Sequence, residues 1–304
     1  MVGVKVSPCV KAMLIDYTLD KPISLRACFE VRGFTVLLGR SGAGKTTLLR
    51  ALAGLVPAVG TPWNSLPPER RSVGYLPQEA LLFPHLSVLE NTAYALRGAA
   101  RLEQARALLA GLGLDSLAAL KPAQLSGGQA KRIALARALA RGVDLLLLDE
   151  PSAGLDGLTR DEMLDWLLAA SAARNIPVLA ATHDHQIAAR ADNVALLADG
   201  RIIQSGPARV VFSAPVSREA ASLLGYDNIY ERYGVSWAAH SSALTLDPDG
   251  EIFTVMDARE TGAGLRLICG PAPRLIVSLP HGRQAAYPAG AQIRLDLRAA
   301  VRLG

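Results

Sequence analysis

Short apolar runs recur along the chain and break off at glycine or at polar residues. Phe34-Thr35-Val36-Leu37-Leu38 stops at Gly39, Leu145 to Leu148 stops at Asp149-Glu150, and Val178-Leu179-Ala180-Ala181-Thr182 stops at His183. Uninterrupted runs of this length predict strands of a parallel sheet buried on both faces. Met13–Tyr17 and Ser72–Gln78 predict two further strands, and Val194–Ala198 with Arg201–Gln204 a hairpin around Asp199-Gly200. Between the strands the period changes to that of a helix over Leu48–Ala53, Ala130–Arg141 and Leu158–Ala173. A helical stretch from about 80 to 125 interrupts the alternation. Ser87 caps one helix there, with Glu90 as its reciprocal partner, and Leu102–Leu112 forms another, stopped by Gly111 and Gly113. The class is α/β.

The pattern divides the chain. Residues 1–12, with Pro8, read as an irregular leader, and Gly54 to Pro68 as turn chemistry. An α/β domain spans 13–225. After Gly225 only short β segments remain: Ala243–Leu246, Ile252–Met256, Leu265–Ile268, Leu275–Leu279 and Ile293–Leu297. Turns at Asp247-Pro248-Asp249-Gly250 and Pro280-His281-Gly282 separate them. Residues 226–304 are therefore expected to form a small all-β, OB-like domain.

Composition narrows this further. Half of the 304 residues are apolar, enough for a large core. The net charge of +5 is dispersed, with no block of like charges, so no nucleic-acid partner is expected. Cys9, Cys28 and Cys269 have no metal or redox spacing, which fits a reducing compartment. No apolar run is long enough to span a membrane, and residues 1–12 are not expected to act as a secretory signal.

The candidate chemistry lies at the strand ends. Gly39-Arg40-Ser41-Gly42-Ala43-Gly44-Lys45-Thr46-Thr47 sits between a strand and a helix, the context of a phosphate-binding loop. Its backbone N–H groups and the helix N-terminus attract an anion. Lys45 is placed for the β- and γ-phosphates of a nucleotide and Thr46 for Mg²⁺. Asp149, ending its strand, is a second Mg²⁺ candidate, and Glu150 a group to orient an attacking water. Gln78 and His183, also at strand ends, are candidates to sense the γ-phosphate, and Gln78 equally the metal. Ser126-Gly127-Gly128-Gln129 opens a helix as a second anion site. Tyr17 has two readings, adenine stacking or a plain sheet aromatic.

Over residues 13–225 the chain resembles the ATP-binding subunits of ABC transporters. The resemblance rests on the loop Gly39–Thr47, Gln78, the run Leu125–Gln129, the strand Leu145–Glu150 and His183, in that order. It implies an ATPase using ATP and Mg²⁺, working as a head-to-tail pair of two copies. In such a pair Ser126 and Gly128 of one copy cover ATP held by Lys45 of the other. It makes Glu150 the general base, His183 its γ-phosphate partner, and Asp156 a contact across the dimer. Pro68–Tyr75 and Leu82–Val88 look like the bacterial importers of molybdate, sulfate and sugars, with the ending Ile293–Arg298 inclining toward the molybdate type. Polyamine and iron importers and a soluble, non-transport ATPase are the alternatives. An importer implies integral membrane permease partners, a solute-binding protein acting indirectly, and a peripheral place on the cytoplasmic face of the membrane. One departure stands out: Lys131 occupies a position where glutamine is more common in the family.

Overall fold

The computed structural model describes residues 11–280 and 286–304, so most of the leader and the His281-Gly282 turn lie outside the described residues. The chain separates into two compact units that meet between Ala208 and Arg209. Gly225, where the composition shifts, lies inside the second unit.

The first unit runs β1 (Ala12–Leu19), β2 (Leu25–Arg32), β3 (Phe34–Leu38), α1 (Lys45–Leu52), β4 (Val59–Thr61), β5 (Val73–Leu76), α2 (Val88–Ala93), α3 (Arg101–Gly111), α4 (Gly127–Ala140), β6 (Leu145–Asp149), α5 (Gly157–Ala172), β7 (Val178–Thr182), α6 (His185–Ala188), β8 (Asn193–Ala198) and β9 (Arg201–Pro207). Its nine strands form one sheet, ordered β4-β1-β2-β9-β8-β3-β7-β6-β5. β3, β5, β6, β7 and β8 are joined by parallel pairings, while β1 pairs antiparallel with β2 and β4. Every residue of β3, β6 and β7 is buried, as uninterrupted apolar runs require. Each leucine of Leu145–Leu148 contributes about 1.5–3 kcal/mol by leaving water. β2 instead alternates, burying Leu25, Ala27, Phe29 and Val31 and exposing the residues between them. The segment Gly54–Pro68 holds a short strand, β4, which extends the sheet edge beside β1. Arg71 is buried; its Nη1 donates to the Ala51 and Leu52 carbonyls and its Nε to that of Leu66. A cation there adds a charged donor to carbonyls at the α1 C-terminus, where it also suits the helix dipole.

In the helical insertion, Ser87 and Glu90 form the expected capping box of α2. Asn91, fully buried, accepts a hydrogen bond from Phe83 N–H and donates to the carbonyls of Phe83, Leu86 and Ser87. One side chain thus fixes the loop before α2.

The second unit holds α7 (Ala208–Ser213, opening at the junction), α8 (Arg218–Leu223), β10 (Asn228–Arg232), β11 (Val235–Ala239), β12 (Thr245–Thr261), β13 (Gly264–Gly270), β14 (Leu275–Leu279), β15 (Gln292–Asp296) and β16 (Val301–Arg302). They make a three-stranded sheet, β10-β11-β16, and a four-stranded one, β14-β13-β12-β15. One core joins them, including Tyr230, Val255, Leu267, Cys269, Val277 and Leu295. Two segments read as separate strands, Ala243–Leu246 and Ile252–Met256, belong to one long strand. Leu246 and Glu251 both face Leu295, so the turn residues Asp247–Gly250 loop out of β12 without ending it.

Candidate nucleotide site

The loop between β3 and α1 is shaped by its glycines. Gly44 has a left-handed backbone (φ 101°), and a Cβ there would lie 2.5 Å from Ile23 Cδ1. At Gly39 a Cβ would lie 2.6 Å from the Leu197 carbonyl oxygen. A side chain at either position would force the loop out of this path. Lys45 opens α1 and folds back: its Nζ donates to the carbonyls of Gly39 (2.8 Å) and Arg40 (3.1 Å). Burial pushes the Lys45 pKa down, while Glu150 and Asp149 nearby oppose that shift.

β6 runs parallel to β7, which runs parallel to β3, so their C-terminal ends collect beside the loop. Thr46 Oγ1 donates to Asp149 Oδ1 at 3.0 Å. Asp149 is almost wholly buried, and desolvation raises its pKa, which the Thr46 hydrogen bond partly offsets. Glu150, next along, takes a left-handed backbone (φ 46°). Its carboxylate is held at three points: Oε2 accepts from Thr182 Oγ1 at 3.0 Å, Oε1 meets His183 Nδ1 at 2.9 Å, and Lys45 Nζ lies 3.8 Å from Oε1.

The structure therefore brings Lys45, Thr46, Asp149, Glu150 and His183 into one cluster. Thr182 joins them, unread in the sequence because it ends β7 as one more buried residue. The remaining predicted residues lie otherwise. Gln78 is exposed just past β5. Ser126 caps α4, its hydroxyl accepting from Gln129 N–H while Gln129 Oε1 accepts from Ser126 N–H. Ser126 and Gly127 are exposed at that helix end. Asp156 caps α5 through Thr159 N–H. Tyr17 is a correction: it is 1 % exposed within the core, its hydroxyl donating to the Pro62 carbonyl, so its ring offers no face to a base.

A family model described as ABC transporter matches residues 25–153. The chain is 41 % identical over 225 residues to the molybdate/tungstate import ATP-binding protein WtpC of Thermococcus kodakarensis, covering 70 % of this chain and 68 % of that protein. The chain belongs to the ABC transporter ATP-binding proteins. A second member, the sulfate/thiosulfate import ATP-binding protein CysA of Burkholderia pseudomallei, is 36 % identical and covers 96 % of this chain and 82 % of its own length. Among solved structures, a dimeric post-hydrolysis state of the ATP-binding cassette MJ0796 bound to ADP and Pi superposes with a TM-score of 0.55 at 26 % identity. That match covers 66 % of this chain and 99 % of the other.

The Ser126–Gln129 run forms the capped N-terminal end of α4. Lys131, two residues beyond it, is a further feature of this site. It is 4 % exposed, and its Nζ donates to the Glu150 carbonyl at 2.6 Å and the Ala153 carbonyl at 3.1 Å.

Proposed function

We propose that this ABC ATPase is the energising subunit of an importer for molybdate or a related oxyanion, hydrolysing ATP with Glu150 as general base. The observation that carries the hydrolytic reading is the carboxylate of Glu150, held by Thr182 and His183 beside Lys45. Lys45 and the N–H groups of Gly39–Thr47 bind the β- and γ-phosphates. Thr46 and Asp149 offer two hard oxygen donors side by side, a set that fits Mg²⁺, with Gln78 as a third ligand from the exposed strand end. When bound, Mg²⁺ neutralises charge on the phosphate oxygens. Glu150 takes the proton of the attacking water, and His183 keeps the carboxylate aimed while its largely exposed ring meets the γ-phosphate. Ser126, Gly127, Gly128 and Gln129 of a second copy close the site, with Asp156 at the dimer contact. The exposed N-terminus of α4, fourteen residues long, supports that role.

The oxyanion reading rests on relatives named for molybdate and tungstate, whose match spans about the length of the first unit. The second reading is a sulfate importer: the sulfate/thiosulfate relative matches nearly the whole chain, β-rich unit included, as a spermidine/putrescine relative also does. Either reading places the chain on the cytoplasmic face of the membrane, bound to integral permease subunits and served indirectly by a solute-binding protein. Among the described residues no helix is long and apolar enough to cross a membrane. The loop that Asn91 fixes carries Leu82, Phe83 and Leu86, half-buried apolar residues suited to a permease contact.

Glu150→Gln tests the hydrolytic reading: ATP binding should persist, hydrolysis should fall about 10²–10⁴-fold, and ATP-bound dimers should accumulate. Wild-type turnover in that variant would show that another group activates the water. Uptake of molybdate against sulfate by the chain with its permease separates the two substrates.

A further inference from the structure

A lysine side chain inside a protein normally meets a carboxylate or keeps its ammonium in water. Lys131 does neither. Its Nζ is spent on two backbone carbonyls, those of Glu150 and Ala153. Burial lowers its pKa, opposed by the nearby charges of Glu150 and then Asp149.

What it grips is unusual as well. Glu150 has a left-handed backbone, a region that residues with a Cβ avoid and that persists where surrounding groups hold it. On one side, Glu150 N–H donates to the Ala181 carbonyl at 2.9 Å, tying the residue to β7. On the other, its carbonyl accepts from Ala153 N–H at 3.2 Å and from Lys131 Nζ at 2.6 Å. The shorter and charge-assisted contact is the lysine's. The backbone conformation decides where the side chain leaves, and so whether the carboxylate reaches Thr182 and His183. Lys131 belongs to α4, the helix that Ser126 caps. The same side chain therefore ties α4 to the peptide unit of Glu150.

We propose that Lys131 is a positioning residue for ATP hydrolysis, clamping the Glu150 carbonyl so that the carboxylate is held for the attacking water. This rests on Glu150 being the general base. Lys131 touches no reacting atom; it acts through Glu150. A glutamine at this position would also present N–H donors, so the chemistry required is donation to carbonyls rather than positive charge.

The full-length chain with Lys131→Met, Lys131→Ala or Lys131→Gln tests this, each alone and with Glu150→Gln. Met keeps the apolar stem without a donor, and Ala is a second donor-free change should Met not fold. The expected result is a fall in kcat of at least about tenfold for the donor-free variants, with ATP affinity unchanged, and recovery of most of kcat by Lys131→Gln. On the Glu150→Gln background the donor-free change should cost nothing more, because residues acting as a unit are non-additive. Wild-type kcat without the donor overturns the proposal. So does a Lys131→Gln variant as slow as Lys131→Met, a parallel loss of ATP affinity, or the same fold-loss on both backgrounds. Glu150→Gln alone reads the base assignment separately: if it turns over like wild type, that assignment fails first and the clamp with it.

Discussion

The hydroxyl of Thr46 donates to the carboxylate of Asp149 across 3.0 Å, although 103 positions separate them in the chain. One residue closes the glycine loop and the other ends β6. Their meeting makes a single two-oxygen corner from two distant segments, and it follows from β3 and β6 both running parallel to β7.

Asp149→Asn should leave metal-free ATP binding intact and remove the gain in affinity and rate that Mg²⁺ brings. Outer partners of a bound metal already contribute about 10–100-fold, so a direct ligand should contribute more. Binding titrations in Mg²⁺ and in chelator check this; equal Mg²⁺ stimulation in variant and wild type would remove Asp149 from the metal site.

His183→Ala should lower kcat by about 100-fold or more while ATP affinity stays within a few-fold, since the imidazole and the Thr182 hydroxyl are the two groups hydrogen-bonded to the Glu150 carboxylate. Steady-state kinetics beside an equilibrium binding assay separates the two quantities. A change in affinity alone would place His183 outside the hydrolytic step.

Arg71→Ala should destabilise the first unit by about 3 kcal/mol, because a charged donor to buried carbonyls is worth about 1.5–3 kcal/mol and several acceptors lose theirs. Urea unfolding of the two proteins reads it. Arg71 lies outside the nucleotide cluster, so ATP affinity in the folded variant should be that of wild type.

Cys269 is wholly buried in the core of the second unit, and burial pushes its thiol up to about 11. A raised thiol pKa leaves little thiolate at neutral pH. Alkylation of the native protein followed by peptide mass spectrometry should find Cys28, which is exposed, modified and Cys269 intact. Modification of Cys269 at the same rate as Cys28 would show that this core opens readily.

A chain ending at Ala208 should be better behaved than one ending at Gly225. Tyr226, just past Gly225, hydrogen-bonds through its hydroxyl to the Phe212 carbonyl and stacks on His240 at 4.0 Å. Ala220, Ala221 and Leu223 of α8 are buried. Stopping at Gly225 keeps α8 and removes the strands that follow it, exposing an apolar face. Thermal unfolding and light scattering compare the two; a more soluble, more stable chain ending at Gly225 would place the segment 209–225 with the first unit.

The strands that are apolar throughout, and the residues that end them, were legible in the amino-acid order alone. Phe34–Leu38, Leu145–Leu148 and Val178–Thr182 can be buried on both faces only in a covered parallel sheet. A glycine loop, an acidic pair and a histidine at their ends already name phosphate chemistry. The capping box at Ser87 and Glu90 was also legible, because it is a contact between near neighbours. β2 was legible as well, because Leu25, Ala27, Phe29 and Val31 alternate with Arg26, Cys28, Glu30 and Arg32, the period of a half-buried strand. The joining of two segments into β12 was hidden, because a turn sequence can loop out of a strand that its partner, β15, holds together. Tyr17 shows the same limit: one residue of register decides whether a strand aromatic faces the core or the surface, and register is set by neighbouring strands. Lys131 was visible as an unusual residue but not as a clamp. Its partners lie 19 and 22 positions away on another segment, and only the tertiary fold brings its ammonium to their carbonyls.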